Sequence, residues 1–443
     1  MAAGDTKTGA KSILETKLGE VSPQSNATTP SPFIFKAPRE LRRINEGAFE
    51  PQIISIGPYH HGKSHLKAME IHKVRYLRSL LGEGGSRLEL ETYIDTYMSI
   101  EHVPNCYAEH VAKSPAEFGA IMVLDGLFVV QLIRKFTDRT SRVVDDEDDY
   151  LFKQNLNLSL IAQDLLLLEN QLPFTVLEKF VDLADLTNLT NPTPAEYTFA
   201  EQAFNFFSST QPRLRMGYNK IQVPEHLLGL VHHTWIQLPM KSVVHRINCF
   251  PMYPLKSGSA TELSERGIRF QKGKRKCLFD IRFEHGTLFI PTLIVDHDTE
   301  RIIRNLIAYE QFKDDDDVTS IVMDYARFID CLVNYAADVA LLCNRGVIIN
   351  RLGSNEDVAN MINKLNNYVY LSTNNFSYSQ IFDRVNERCR RPWSLFKVNL
   401  RQTYFNTPWD WVLMSIIAAT LLLLLSFLQT IFSVLAYFKQ GAS

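Results

Sequence analysis

The chain has no CxxC pair, and its 6 cysteines (Cys106, Cys249, Cys277, Cys331, Cys343 and Cys389) lie scattered along it. That excludes a disulfide framework and the usual cysteine zinc sites, and it is the usage of a reduced compartment. An excess of either charge is also missing. Lys plus Arg number 47 against 49 Asp plus Glu, a net −2, so no basic face dominates and no nucleic-acid partner is expected. Residues 1–32 hold no apolar run approaching the roughly 7–15 residues of an export signal. Their Ser, Thr and Pro content predicts a disordered leader. Absent too is the repeated strand–helix alternation that builds a parallel nucleotide-binding sheet.

What the chain does have is a long uncharged run near its C-terminus, Trp411 to Phe438 (WVLMSIIAATLLLLLSFLQTIFSVLAYF). About 20 apolar residues in a helix cross a bilayer core of roughly 30 Å, so this run spans with tilt to spare. Ser415, Thr420, Ser426, Gln429, Thr430 and Ser433 can bond to backbone carbonyls or to a partner helix. A buried core helix rarely runs this long without a charged face. Residues 408–443 are therefore expected to be a membrane anchor and residues 33–407 a predominantly helical domain. Arg390, Arg391, Lys397 and Arg401 precede the span and only Lys439 follows it. With no export signal and only five residues after the run, the span is expected to be tail-anchored, and these charges agree in putting the domain in the cytosol. Sequons at Asn26, Asn157, Asn188 and Asn375 are what chance supplies in a chain of 443 residues.

Helical periodicity dominates the rest. Apolar residues at Leu66, Met69, Val74, Leu77, Leu80 and Leu81 predict a helix over 65–81. A second helical stretch covers 87–112, and a strongly apolar helix covers 115–136 with Ser114 as N-cap and Pro115 at N1. The run 158–183 is apolar nearly all round, which means a buried helix, broken or kinked at Pro173. Residues 191–220 read as a linker with a short aromatic helix. In the helix at 224–238, Leu227, Leu228, Val231 and Trp235 share one face, with His232 and His233 on its partly exposed edge. Helices follow at 299–312, 318–343, 354–367 and 379–405. In the third-to-last of these, Asp324, Arg327, Asn334 and Asp338 point away from the apolar stripe. The strong β signal is at 268–296, where alternation around Glu284-His285-Gly286 predicts a hairpin. Ile53, Ile54 and Ile56 suit a short strand before the Gly57-Pro58 turn.

Several features have the residue types that chemistry needs. Gly57-Pro-Tyr-His-His-Gly62-Lys63-Ser64 satisfies the phosphate-loop pattern, in which backbone N–H groups wrap phosphates, lysine reaches the outer ones and the hydroxyl holds magnesium. Against it, Pro58 removes a donor and Tyr59, His60 and His61 fill the loop with bulk. His60, His61, His65 and His72 are close in sequence, but no second set of ligands has zinc spacing, so no metal is assigned. Asp314–Asp317 lack the spaced ligands and turn glycine of a calcium loop. The acidic run Asp145–Asp149 reads as an exposed loop. The basic run Lys272–Lys276 reads as a solvated loop, with anionic lipid as the functional alternative. Asp125, Asp164 and Glu169 sit inside apolar runs. Desolvated acids can do acid–base work. The structural reading is that they bond backbone donors or pair with a cation such as Lys73 or Arg304.

The strings SIGPYHHG, LKAMEIHK, LDGLFVVQLI, DLLLLENQLPF, PEHLLGLV, HGTLFIPTLIVD, NLIAYEQ and PWDWV plus the apolar run occur in this order. From about residue 35 to 440 the chain thereby resembles the plant family called domain of unknown function 247. It departs from that family at Ala37, where Val precedes the proline, and at Leu127, where cysteine is common. The resemblance implies a mostly helical plant protein with a C-terminal span and no established enzyme activity. Some grass members are linked to self-incompatibility, which implies recognition between proteins.

The expected architecture is mainly α, a large helical domain with a minor β-hairpin and a single C-terminal transmembrane helix. No catalytic residue, metal or cofactor is assigned. The expected partners are the membrane, through the C-terminal helix, and another protein. The leading function is a membrane-tethered interaction or recognition module. The alternative is a nucleotide-binding enzyme using Gly57, Gly62, Lys63 and Ser64.

Overall fold

The computed structural model describes residues 31–81, 89–140, 149–153, 155–187, 198–211, 223–236, 258–274, 277–313, 320–369, 376–390 and 408–440. Within them the chain is mainly α, with 16 helices and a few short strands. The helices are α1 (Arg39–Ile44), α2 (Lys67–Leu81), α3 (Leu90–Met98), α4 (Pro115–Thr140), α5 (Tyr150–Lys153), α6 (Asn155–Asp164), α7 (Phe174–Thr187) and α8 (Phe199–Thr210). They continue with α9 (Leu227–Ile236), α10 (Ala260–Glu265), α11 (Thr299–Gln311), α12 (Ile321–Leu332), α13 (Ala336–Asn344), α14 (Asn355–Leu365), α15 (Ser379–Cys389) and α16 (Pro408–Gln440). The strands are β1 (Arg269–Lys272), β2 (Arg282–Glu284), β3 (Thr287–Ile290), β4 (Leu293–Val295) and β5 (Ile348–Asn350).

Helix α4 is the centre of the first half, and α2, α3, α7 and α8 pack around it. Its start is a capping box. Ser114 Oγ accepts the Glu117 N–H at 3.2 Å, and the Glu117 carboxylate accepts the Ser114 N–H at 3.0 Å. Gly126 lets α7 approach, because a Cβ there would lie 2.7 Å from the buried ring of Phe180. In the second half α11 packs on α9, α12 and α14, while α13 packs on α10, α14 and β5. Both halves contribute to one buried apolar cluster.

The hairpin forms where alternation predicts it. β2 pairs antiparallel with β3, and His285 (φ 48°) and Gly286 (φ 77°) make the two-residue turn. Two positive φ values in that turn suit the right-handed strand twist. The structure adds β1, parallel to β3, and a second small sheet of β4 parallel to β5. These strands are too short to leave a period in the sequence.

Five local expectations are corrected. Residues 53–56 are not a strand, for the reason given below. Of the stretch 87–112, the described residues hold only α3 and a 3-10 turn at Val103–Cys106. The buried run 158–183 stops being helical at Asp164, well before Pro173, and resumes at Phe174. The Asn170 and Gln171 side chains donate to the carbonyls of Asp164, Leu165 and Leu167, which the interrupted helix leaves open. The stretch 318–343 is two helices. Asp338 Oδ2 accepts the N–H groups of Asn334 and Tyr335, each at 3.1 Å, and so starts α13. Asp324 and Asp338, expected away from the apolar stripe, are both buried.

Helix α16 differs from every other helix in exposure. No residue of Ser415–Val434 is buried, although this 20-residue stretch is long and apolar enough to cross a membrane. The hydroxyls of Thr420, Thr430 and Ser433 donate to carbonyls three or four residues earlier in the same helix. Pro115–Arg139 in α4 also has the length and apolarity, but it is 72% buried as the core helix just described.

Candidate functional site

Among the described residues, dense polar chemistry surrounds residues 34–64, which run between the two halves and, apart from α1, short 3-10 turns and a bridge from Ile34 to Tyr107, have little backbone pairing of their own. Buried backbone must bond to something, and here side chains supply the partners. Asp164 accepts the N–H groups of Gln52, Ile53 and Ile54 at 2.8–2.9 Å. Asn170 accepts from the Ile56 N–H at 2.6 Å and donates to the Ile54 carbonyl at 3.1 Å. Asp125 accepts from the Gly57 N–H at 2.9 Å, and Lys73 donates to the Ser55 carbonyl at 2.5 Å. From the second half, Asn305 donates to the Ala48 carbonyl and Arg301 to the Glu50 carbonyl. Glu169 accepts the Ala37 N–H at 2.8 Å. The segment is a strap held by side chains on both sides, which is why an isoleucine-rich stretch forms no strand.

Each acid flagged in the sequence has a cation. Lys73 pairs with Asp125 at 2.6 Å, Arg301 with Asp164 at 2.7 Å, and Arg42 with Glu169. Arg304 does not serve here; it pairs with Glu300 and donates to the Lys364 carbonyl. Burial pushes the pKa values of Asp125 and Asp164 up, against the pull of Lys73 and Arg301. Burial pushes Glu169 the same way, but His60, Arg42 and the Ala37 N–H overcome it and hold its pKa down. These carboxylates spend their lone pairs on the strap and its cations.

The phosphate-loop-like residues lie at the end of the strap. Gly57 (φ 76°) gives its N–H to Asp125, and Lys63 ion-pairs with Glu50. The backbone donor and the ammonium that a phosphate would need are thus engaged. Gly62 (φ 89°) closes the turn, and Ser64, itself exposed, opens the 3-10 turn leading into α2. Tyr59 donates to Glu109 at 2.5 Å, and burial together with that carboxylate raises its pKa. The four neighbouring histidines diverge. His60 is buried between Glu50 and Glu169, with N···O distances of 3.5 and 3.3 Å. His65 bonds the Pro51 carbonyl, His61 is half-buried, and His72 lies on α2 with its pKa lowered by burial and Arg75. Among the described residues no group of three or more His, Cys, Asp or Glu could hold a metal ion.

A second polar cluster was not legible in the sequence. Glu225 accepts from Tyr309 at 2.9 Å and pairs with Lys313 at 3.3 Å, while Lys313 donates to His233 at 2.9 Å. Burial opposes the ionised form of Glu225, but its own N–H, Lys313 and His233 hold its pKa down to about 2. Burial and Lys313 hold His233 down to about 4. His232, expected at an exposed edge, is wholly buried and faces Glu310 at 2.8 Å. Glu310 also accepts the N–H groups of Val322 and Met323 at the start of α12. The acidic runs Asp145–Asp148 and Asp314–Asp317 lie outside the described residues; Asp149 is held by Tyr76 and Lys135. Of the basic run, Arg275 and Lys276 also fall outside them.

A helical domain whose buried acids hold a backbone strap, followed by an exposed apolar helix, stands beside the resemblance to a plant family that the sequence carries. The chain belongs to that family, described as plant protein of unknown function (domain of unknown function 247), whose model matches residues 34–425. Among its relatives is the Arabidopsis thaliana "UPF0481 protein At3g47200", 28% identical over 441 aligned residues that cover 92% of this chain and 87% of that protein. Another is the "Putative UPF0481 protein At3g02645" of the same plant, 20% identical and covering 92% of each chain. No solved structure matches the chain significantly.

Proposed function

We propose that the protein is a membrane-tethered interaction module, a rigid helical domain held at the cytosolic face by α16. The observation that carries this reading is the exposed Ser415–Val434 stretch. In water a face of that kind is costly at about 25 cal/mol per Å² of apolar surface, whereas a bilayer core of roughly 30 Å accommodates it. Its hydroxyls bond within the helix, as a lipid environment requires. Trp409 and Trp411 near its start and Tyr437 near its end are the residues that favour membrane interfaces. Arg390, Arg391, Lys397 and Arg401 just before it support a cytosolic domain. The commitment of Asp125, Asp164 and Glu169 to the strap supports recognition by surface rather than catalysis.

The test is alkaline carbonate extraction of the full chain against a chain ending at Thr407. The reading expects the full chain in the membrane pellet and the shortened chain in the supernatant with its helical circular dichroism intact. Pelleting of the shortened chain would refute attachment through α16.

A further inference from the structure

Two exposed helix faces in the first half carry opposite charge around apolar side chains, and neither is covered. On α2, the positions 67, 71, 74, 75 and 78 share one face at about 100° per residue. They are Lys67, Ile71, Val74, Arg75 and Arg78, all exposed, with Ile71 at 59% and Val74 at 45%. The acid of this helix, Glu70, is turned to Ser55 and Lys73 instead. On α3 the outward face is Leu90, Glu91, Ile94, Asp95 and Met98, with Met98 71% exposed. Among the described residues Lys67, Arg75, Arg78, Glu91 and Asp95 make no ion pair. Tyr93 and Tyr97 bury the opposite side of α3, and Met69, Lys73 and Tyr76 that of α2.

We infer that these faces are the two sides of a self-association contact, in which α2 of one copy lies on α3 of another. Charge complementarity names the occupant. A basic and apolar face needs an acidic and apolar partner, and the same chain displays one that its own fold leaves open. Arg75 and Arg78 stand i, i+3 and Glu91 and Asp95 stand i, i+4, each pair about 5–6 Å apart, so two ion pairs form across one crossing. Ile71 and Val74 then meet Ile94 and Met98 between them. The contact concerns α2 and α3 alone and does not depend on what α16 does.

The experiment uses the full chain in vesicles of phosphatidylcholine, with and without phosphatidylserine, and reads energy transfer between donor- and acceptor-labelled copies. Wild type should transfer in both lipids. R75E/R78E and E91K/D95K should each weaken association at least about tenfold, since like charges then face each other. Combining all four substitutions restores opposite charge and should restore transfer. The single changes Arg78→Glu and Asp95→Lys, gentler on the fold, should give the same pattern at smaller amplitude. Transfer that persists in either charge-reversed face would overturn the inference, as would failure of the combined variant to recover. An effect confined to α2 and to phosphatidylserine vesicles would assign the basic face to lipid and overturn it too.

Discussion

Replacing Asp164 by Asn removes one charge at the centre of the strap and changes little else in volume. In the native protein its two oxygens accept the N–H groups of Gln52, Ile53 and Ile54 and the Arg301 guanidinium. The Asn oxygen can keep Ile53 and Ile54, but its NH₂ would then face Gln52 N–H and Arg301, donor against donor. Arg301 is 5% exposed, so its charge would stay buried with the Glu50 carbonyl as its remaining acceptor. Removing one partner of such a pair costs about 3–5 kcal/mol, out of a typical total of about 5–15. Asp164→Asn should therefore bring the domain close to unfolding at 37 °C, read as a lowered urea midpoint by circular dichroism. Adding Arg301→Met removes the orphaned charge, so the double variant should recover part of the loss, with a coupling of about 2 kcal/mol or more. A single-variant cost below about 1 kcal/mol would refute the claim that the buried acids hold the strap.

Gly57→Val should cost at least about 3 kcal/mol by the same assay, because the site has φ 76° and a Cβ would lie 2.6 Å from the Gln171 carbonyl; a soluble, wild-type-like melt would contradict this. Gly126→Ala should cost about 1–3 kcal/mol by pressing on Phe180 across the α4–α7 contact, measurable as a lower Tm. Lys63→Ala should shift stability by no more than about 1 kcal/mol, since its pair with Glu50 is partly exposed. Asp324, buried against Ser377, has its pKa raised from 3.8 to about 6. Its ionisation therefore removes stability that is full below pH 3.8 and lost as pH rises through about 6, on the order of 3 kcal/mol. Asp324→Asn should exceed wild type in stability at pH 7.5 and converge with it near pH 4, and equal stabilities at both pH values would dismiss that origin.

The sequence announces what is local. The apolar spacing of α2, the Ser114-Pro115 start of α4 and the alternation around His285-Gly286 are patterns within one element, and each appears where the spacing puts it. Asp125, Asp164 and Glu169 were also visible, because an acid inside an apolar run must find a partner. The partners were harder to name. Lys73 was legible, but Arg301 rather than Arg304 answers Asp164 from 137 residues away. Those two arginines differ by less than one helical turn, and only the packing of α11 decides which faces inward. The same limit hid His232, whose partner Glu310 is 78 residues distant. Isoleucines at 53, 54 and 56 suit a strand as well as a strap, and the strap's hydrogen bonds come from side chains with no period to detect.

Protease protection on sealed microsomes carrying the full chain tests the central claim most directly. If α16 crosses the bilayer and the domain faces the cytosol, added protease should digest the domain and spare a fragment of about the size of α16. Protection of the domain until detergent is added, or endoglycosidase-sensitive mass at Asn157 or Asn375, would contradict the orientation, and digestion that leaves no protected fragment would contradict the span.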